Sequence, residues 1–396
     1  MEPAGRGQYA LASLTVTLCG IPLGGVWLAN TIELTRGRAS AREVLGASLV
    51  IAAVGGVATG AVAFAIAPFL GDRWWLVGVP AAVTPFQLLG RYLEGLYTAL
   101  GHVRAASTII LGRAVLPVVF ITPPLLAGAS SRTAIAIWTL QIVALPLLAY
   151  FPLQSLVGGT RVPRQRGLYR RVVSYGAKLS GINAIGMVNE RVGLLSLAVF
   201  ATDAAIGVYS IAVAGGQILL LVTESLVLST FRHIGRRSWD SSASLTLRTI
   251  RHTSLLATVG GLLLFPIGVV AVPVVLGPGY TDVPLLFAVL IPAGIGYAVI
   301  QPLLTFFQVR AQRPALVLAA ASTALVVNIL LALALTAPWG TWGAATATSL
   351  SSMFGAATAF WFFCRETGMG IRDLRPGRQE LRDYAGLVSS LTARFR

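Results

Sequence analysis

The residues that could do chemistry in this chain are ionisable side chains placed inside long apolar runs. Four bases, Arg91, Arg113, Lys178 and Arg191, and three acids, Glu94, Glu190 and Glu224, lie within such runs. A charge at the centre of a bilayer costs roughly 2.5–3.5 kcal/mol on insertion scales, so each one needs a partner, a cavity or a route to the interface. Run 174–200 carries the densest set. Projected at about 100° per residue, Lys178, Asn183, Gly186, Asn189 and Glu190 share one arc of about 140°. Ile185, Val188, Val192 and Leu195 lie opposite, with Arg191 out of pattern. The arc predicts one side against lipid and the other against water or the bundle interior. Two readings follow: a wet cavity whose Lys178 and Arg191 attract an anionic group, or a local Glu190–Arg191–Lys178 network that orders helix packing.

Run 204–230 and the residues flanking it carry Asp203, Ser210, Gln217 and Glu224 at seven-residue intervals, which aligns one helical face. Glu224 fits ion or proton coupling, and a polar helix seam equally well. Arg91 and Glu94, three residues apart, can pair on one face as a structural ion pair or a gate. Arg113, near a helix start, is expected to snorkel to the interface. The candidate substrate-binding set is therefore Lys178, Arg191, Asn183, Asn189, Glu190 and Gln217, with Glu224, Arg91 and Glu94 as candidates for coupling or gating. Catalytic constellations are absent: the sequence has no His-rich metal cluster, no G-x-S-x-G elbow and no Walker A loop. Neither an enzyme nor a cofactor or metal is expected. Cys19 and Cys364 sit in separate apolar runs and read as free thiols.

These residues need helices to hold them. Only 11% of the 396 residues are charged and 56% are hydrophobic, and the mean hydropathy is +0.78. A water-facing surface normally takes about a quarter charged residues, so most of this surface must face lipid. Eleven runs are long enough to cross about 30 Å of hydrocarbon: 8–30, 44–70, 75–99, 106–128, 133–157, 174–200, 204–230, 253–276, 283–307, 315–336 and 343–364. The class implied is all-α integral membrane, multi-pass, in the cell membrane.

Loop charge sets the orientation. Alternate loops and the tail 365–396 hold 23 arginines, whereas the other loops hold only Arg6, Arg73 and Arg132. That asymmetry predicts the arginine-rich side, with the C-terminus, in the cytoplasm. It also accounts for the net charge of +16 by topology, so no nucleic-acid partner is expected. Trp74, Trp75, Trp339 and Trp342 fall in the outer loops as an interfacial belt. The longest inner loop, 231–252, reads as a basic helix along the membrane surface.

A repeat organises the runs. Gly7-Gln8-Tyr9-Ala10-Leu11-Ala12 is echoed by Gly207-Val208-Tyr209-Ser210-Ile211-Ala212, and the basic hinge at His102–Arg104 by Arg310–Arg313. Runs one to five then pair with seven to eleven, leaving 174–200 without a partner. This predicts a two-lobed bundle with pseudo-twofold related lobes, twelve spans in full, whose first helix is missing here. The division is an N-terminal lobe 1–157, a basic linker 158–173, a C-terminal lobe 174–364 and a basic tail 365–396.

Several stretches resemble the Wzx-type polysaccharide flippases. Pro3-Ala4-Gly5-Arg6-Gly7-Gln8-Tyr9-Ala10 is similar to their "GP-x-GRG-x-Y" stretch. Ser174-Tyr175-Gly176 running to Asn189-Glu190-Arg191-Val192 resembles the start of their second lobe, and Ala205-Ile206-Gly207-Val208-Tyr209-Ser210 its "A-x-G-x-YS" motif. Gln308-Val309-Arg310-Ala311-Gln312-Arg313-Pro314 fits their hinge, and the loop ending at Tyr280 fits as well. The resemblance is to the oligosaccharidyl-lipid branch of the superfamily that also holds MATE exporters and lipid II flippases. It implies a flippase moving a polyprenyl-pyrophosphate-linked oligosaccharide across the cytoplasmic membrane by alternating access, through a basic cavity between two lobes. Expected partners are that lipid-linked substrate, membrane lipids, and polysaccharide polymerase or glycosyltransferase proteins. The alternatives are a MATE-like cation-coupled exporter of small molecules or a truncated, inactive member.

Overall fold

The computed structural model describes residues 2–374, apart from 36, 164, 165, 237 and 312. Arg36, Arg164, Arg237 and the tail from Arg375 therefore lie outside the described residues. The chain runs as helices α1 (Pro3–Gly20), α2 (Val26–Thr35), α3 (Ala41–Ile66), α4 (Trp75–Ala82), α5 (Thr84–Ala99) and α6 (Val103–Leu126). It continues as α7 (Ser131–Leu156), α8 (Arg166–Phe200), α9 (Asp203–Arg236), α10 (Trp239–Leu276), α11 (Val283–Thr305) and α12 (Pro314–Thr367). No strand occurs among the described residues. The all-helical membrane class is what the sequence predicts.

Seven described helices are long and apolar enough to cross a membrane, or nine if each of two bent pairs is one span. The eleven apolar runs map onto α1–α12 with three differences. The first run is two helices, α1 and α2, meeting at 43° across a 3₁₀ turn at Ile21–Leu23. The third is also interrupted: α4 ends at Ala82, and α5 starts at Thr84 with Pro85 in its first turn. The last two follow one another without a loop as α12, kinked at Gly340 (φ 53°, ψ −128°), a positive φ that glycine adopts freely.

Of the intramembrane prolines, only Pro22 and Pro85 mark breaks; Pro117, Pro146, Pro266, Pro292 and Pro302 stay inside continuous helices. A break leaves backbone donors and acceptors unpaired, which lipid cannot satisfy. At the first break they find partners. Tyr92 Oη donates to the Leu23 carbonyl (3.1 Å), and the Gly25 N–H donates to Ser180 Oγ (2.7 Å).

Loop 231–252 does not form a helix of its own. Its residues are the end of α9 and the first turns of α10, which is one helix from Trp239 to Leu276. The reason is packing. Ala243, Leu247 and Ile250 are buried against Leu303, Phe306, Phe307 and Phe363 instead of facing lipid.

Contacts divide the chain into two compact units. One comprises Met1–Ser210 with Leu276–Tyr280 and Thr336–Ala344; the other holds Ile211–Val275, Thr281–Leu335 and the chain from Ala345. The core of the first joins Leu45, Leu88, Tyr92, Leu93 and Leu96 to Val26 and Val172. That of the second is the Phe306, Phe307 and Phe363 cluster, whose rings meet edge-on.

Candidate functional site

Helix α8 places the largest set of candidate residues. Its first half docks on the broken first span: Gly176 faces Val26, and Ser180 accepts from Gly25. Lys178, Gly186 and Glu190 are exposed, while Asn189 and Arg191 are half-buried. A Cβ added at Gly181 or Gly186 would meet no atom within 4 Å, so space stands open beside this face. The opposite side does not face lipid as expected: Val192 is buried, and Ile185, Val188 and Leu195 are half-buried. Protein covers them because α8 packs on α1 and α2. An open face carrying Lys178 and Glu190 within a span must be wet, since bare charge in hydrocarbon is too costly.

The helix is also not straight. Gly167–Gly181 and Ala184–Phe200 meet at 50°. Lys178 therefore belongs to one limb and Asn189, Glu190 and Arg191 to the other, and the side chain of Asn183 at the bend lies outside the described residues. Twelve residues of helix span about 18 Å, so Lys178 does not reach Glu190. Neither Lys178 nor Arg191 makes an ion pair with another described residue. Lys178, exposed beside open space and without an ion pair among the described residues, can receive an anion.

The heptad on α9 splits in function. Asp203 belongs to a polar latch in the first unit: Arg73 Nη2 lies 3.0 Å from its Oδ1, and Gln8 Nε2 donates to its Oδ2 (3.3 Å). Gln8 in turn accepts from Ser131 Oγ (2.6 Å). Ser210 is buried and donates to the Gly207 carbonyl (2.8 Å). In the second unit Gln217 is exposed beside Gly216, where an added Cβ would touch nothing, and Glu224 accepts from Tyr297 Oη (2.7 Å). That bond ties α9 to α11, as a polar seam would.

Arg91 and Glu94 do not form the expected pair. Glu94 Oε2 accepts instead from Arg113 Nη2 at 2.8 Å, nineteen residues on. Arg113 consequently does not snorkel: α6 packs along α5, and a carboxylate within reach holds the guanidinium better than a distant interface does. Arg91 is half-buried, with its guanidinium beside Gly24 at the first break. Two bases thus share one acid. Beyond Arg113, Gln141 lines a cavity of about 50 Å³, room for a water or two. Both amide atoms of Gln141 are buried there without protein partners.

The sequence reading missed two features. One is the Arg73–Asp203–Gln8–Ser131 latch, although the repeated Gly7 and Gly207 motifs were its trace. The other is an apolar cavity of about 580 Å³ between α1, α3, α4 and the end of α8, lined by residues such as Leu14, Leu18, Val62, Leu76 and Ala198. Its one charged lining residue is Arg73, already engaged by Asp203.

No family model and no curated protein matches the sequence. Solved structures do share the fold. An inward-facing multidrug resistance MATE family transporter of the MOP superfamily aligns with a TM-score of 0.71 and 12% identity, covering 93% of this chain and 91% of its own. The lipid II flippase MurJ in an inward closed conformation aligns at 0.63 with 10% identity, over 94% of this chain and 83% of its own. The eukaryotic MATE transporter AtDTX14 aligns at 0.56 with 12% identity, over 91% and 92%. The fold is that of these transporters, over nearly the whole chain.

Proposed function

We propose that the chain is a flippase-type transporter that carries a polyprenyl-pyrophosphate-linked oligosaccharide across the cytoplasmic membrane. The observation that carries this reading is the open face of α8, where the exposed Lys178 makes no ion pair with another described residue; Arg191, half-buried on the other limb, is the second cation of the reading. A glycan cannot cross hydrocarbon unaided, because its hydroxyls would lose their hydrogen bonds. A wet face bearing a free cation shelters the head group and attracts the pyrophosphate, while the prenyl tail stays in lipid. The fold, shared with the lipid II flippase MurJ, supports the same step. Gln217 and Glu224, on the second unit, stand as sugar contact and coupling residue in this reading. The arginine-rich loops face the cytoplasm, which can be read by cysteine labelling: positions 71–74 react from outside, and 158–163 react only after permeabilisation.

Lys178→Ala and Arg191→Ala should each reduce surface polysaccharide export at least about tenfold, the loss from one charge-assisted contact, with unchanged membrane insertion. Wild-type export by the inserted double variant sinks the proposal. A second reading, export of small molecules, is favoured by the apolar 580 Å³ cavity and by the MATE structures. In that case the two alanine variants leave export intact, and narrowing the cavity at Ala63 with Phe sensitises cells to apolar toxic compounds.

A further inference from the structure

The positive charge of the arginine-rich side is organised into a built cavity. In the first unit a space of about 620 Å³ lies between the start of α3 and the chain leaving α7, lined by Arg38, Arg161, Arg171, Thr160 and Glu43 among others. Its acids are largely committed. Glu43 accepts from the Ser40 N–H and hydroxyl as a capping box (3.1 and 2.9 Å). Buried Glu33 accepts from Arg171 Nε and Nη2 (3.2 and 3.1 Å) and faces Arg38 at 3.8 Å. Arg161 has no ion-pair partner among the described residues, and its backbone is pinned, its N–H donating to the Arg42 carbonyl (3.1 Å). Arg42 itself donates from Nε to the Val157 carbonyl (2.9 Å). Arg171 is thus held through its side chain and Arg161 through its backbone, with donors left over.

The second unit builds the same arrangement. A cavity of about 510 Å³ lies between the start of α10 and the chain leaving α12, with Arg251, Arg372, Ser244 and Thr367 in its wall. Arg251 Nη2 donates to the Asp373 carbonyl (2.9 Å), as Arg42 does to Val157. Each last helix ends in a left-handed glycine, Gly158 (φ 76°) or Gly368 (φ 71°). The internal repeat therefore includes an arginine-lined hollow in each half.

What fits the first hollow is an amphiphile with a phosphate head. The end of α7 leading to it exposes Leu148, Phe151 and Leu156, and Val162 in its wall is exposed too. A soluble phosphate needs the arginines but not the exposed apolar helix beside them. We propose that this hollow binds the phosphodiester head group of an anionic phospholipid in the leaflet facing the arginine-rich loops, its tails lying along α7. Guanidinium forks suit phosphate oxygens.

Native mass spectrometry of the purified full chain, offered equal phosphatidylglycerol and phosphatidylcholine, tests it. The wild type should retain phosphatidylglycerol. An arginine near an anionic head group contributes about a fivefold gain in binding, so Arg38→Gln with Arg161→Gln should lower retention roughly twentyfold. Arg161→Lys, which keeps charge but not the fork, should lose only part of it. Arg104→Gln, an exposed base of another arginine-rich loop, should stay within about twofold of wild type. Equal retention of phosphatidylcholine overturns the site, as does an equal loss with Arg104→Gln. Displacement of the lipid by inorganic pyrophosphate in neutral detergent assigns the hollow to a soluble anion and overturns the lipid assignment.

Discussion

Adding one methyl group at Gly207 or Gly7 should destabilise the first unit more than any other single-carbon change. A Cβ on Gly207 would run into the Pro3 carbonyl oxygen, and one on Gly7 into that of Asp203. Both obstacles are backbone, so no side chain can rotate away and α1 must separate from α9. Separation also pulls Asp203 from Arg73 and Gln8, opening the latch. Overpacking costs typically 1–3 kcal/mol, and a backbone clash that also breaks a polar network is expected at about 3 kcal/mol or more. Thermal unfolding in detergent, followed by monodisperse recovery on gel filtration, should fall by roughly 10 °C for either alanine variant. The two together should cost less than their sum, because both open one crossing. Gly216→Ala, inside α9, is the comparison: its Cβ would meet nothing within 4 Å, so its midpoint should hold or rise slightly, since alanine favours a helix over glycine. Equal midpoints for Gly207→Ala and Gly216→Ala would show that the crossing is not a tight one.

That crossing shows what was legible in the sequence. The repeat was visible as an echo of Gly-x-Tyr two hundred residues apart, and the structure shows the two echoes packed against one another. Apolar length marked the helices, because lipid imposes that pattern on sequence directly. The breaks were less visible. Pro22 and Pro117 look alike in sequence, but only Pro22 has Tyr92 and Ser180 nearby to take up unpaired backbone groups. Local sequence says where a helix can break, and tertiary partners decide where it does. The single-face projection of α8 met the same limit. A helical projection assumes a straight axis, and the 50° bend in α8 removes Lys178 from the limb of Glu190. Arg161 was counted only as topological charge, since its cavity exists only where α3 meets the chain beyond α7.

Glu94 is the second position of large effect, and it follows from a partner that sequence distance concealed. Its carboxylate is the acid that balances Arg113, with Arg91 close enough to interact electrostatically with both. Glu94→Ala removes one negative charge and leaves two bases on packed helices. Breaking a fully buried pair costs about 3–5 kcal/mol. Here the side chains are 46% and 25% exposed, which discounts the cost to about 1–3 kcal/mol. Arg113→Ala should be milder, because Arg91, one turn before Glu94, can take over as its partner. The discriminating variant is the double one, Glu94→Ala with Arg113→Ala. If charge balance is what Glu94 supplies, removing the second charge leaves one base instead of two. The double variant should then unfold at a higher temperature than Glu94→Ala alone. A purely steric role for the pair predicts the reverse, with each truncation adding its own loss of packing. The order of the three midpoints therefore separates an electrostatic pair from two side chains that merely touch.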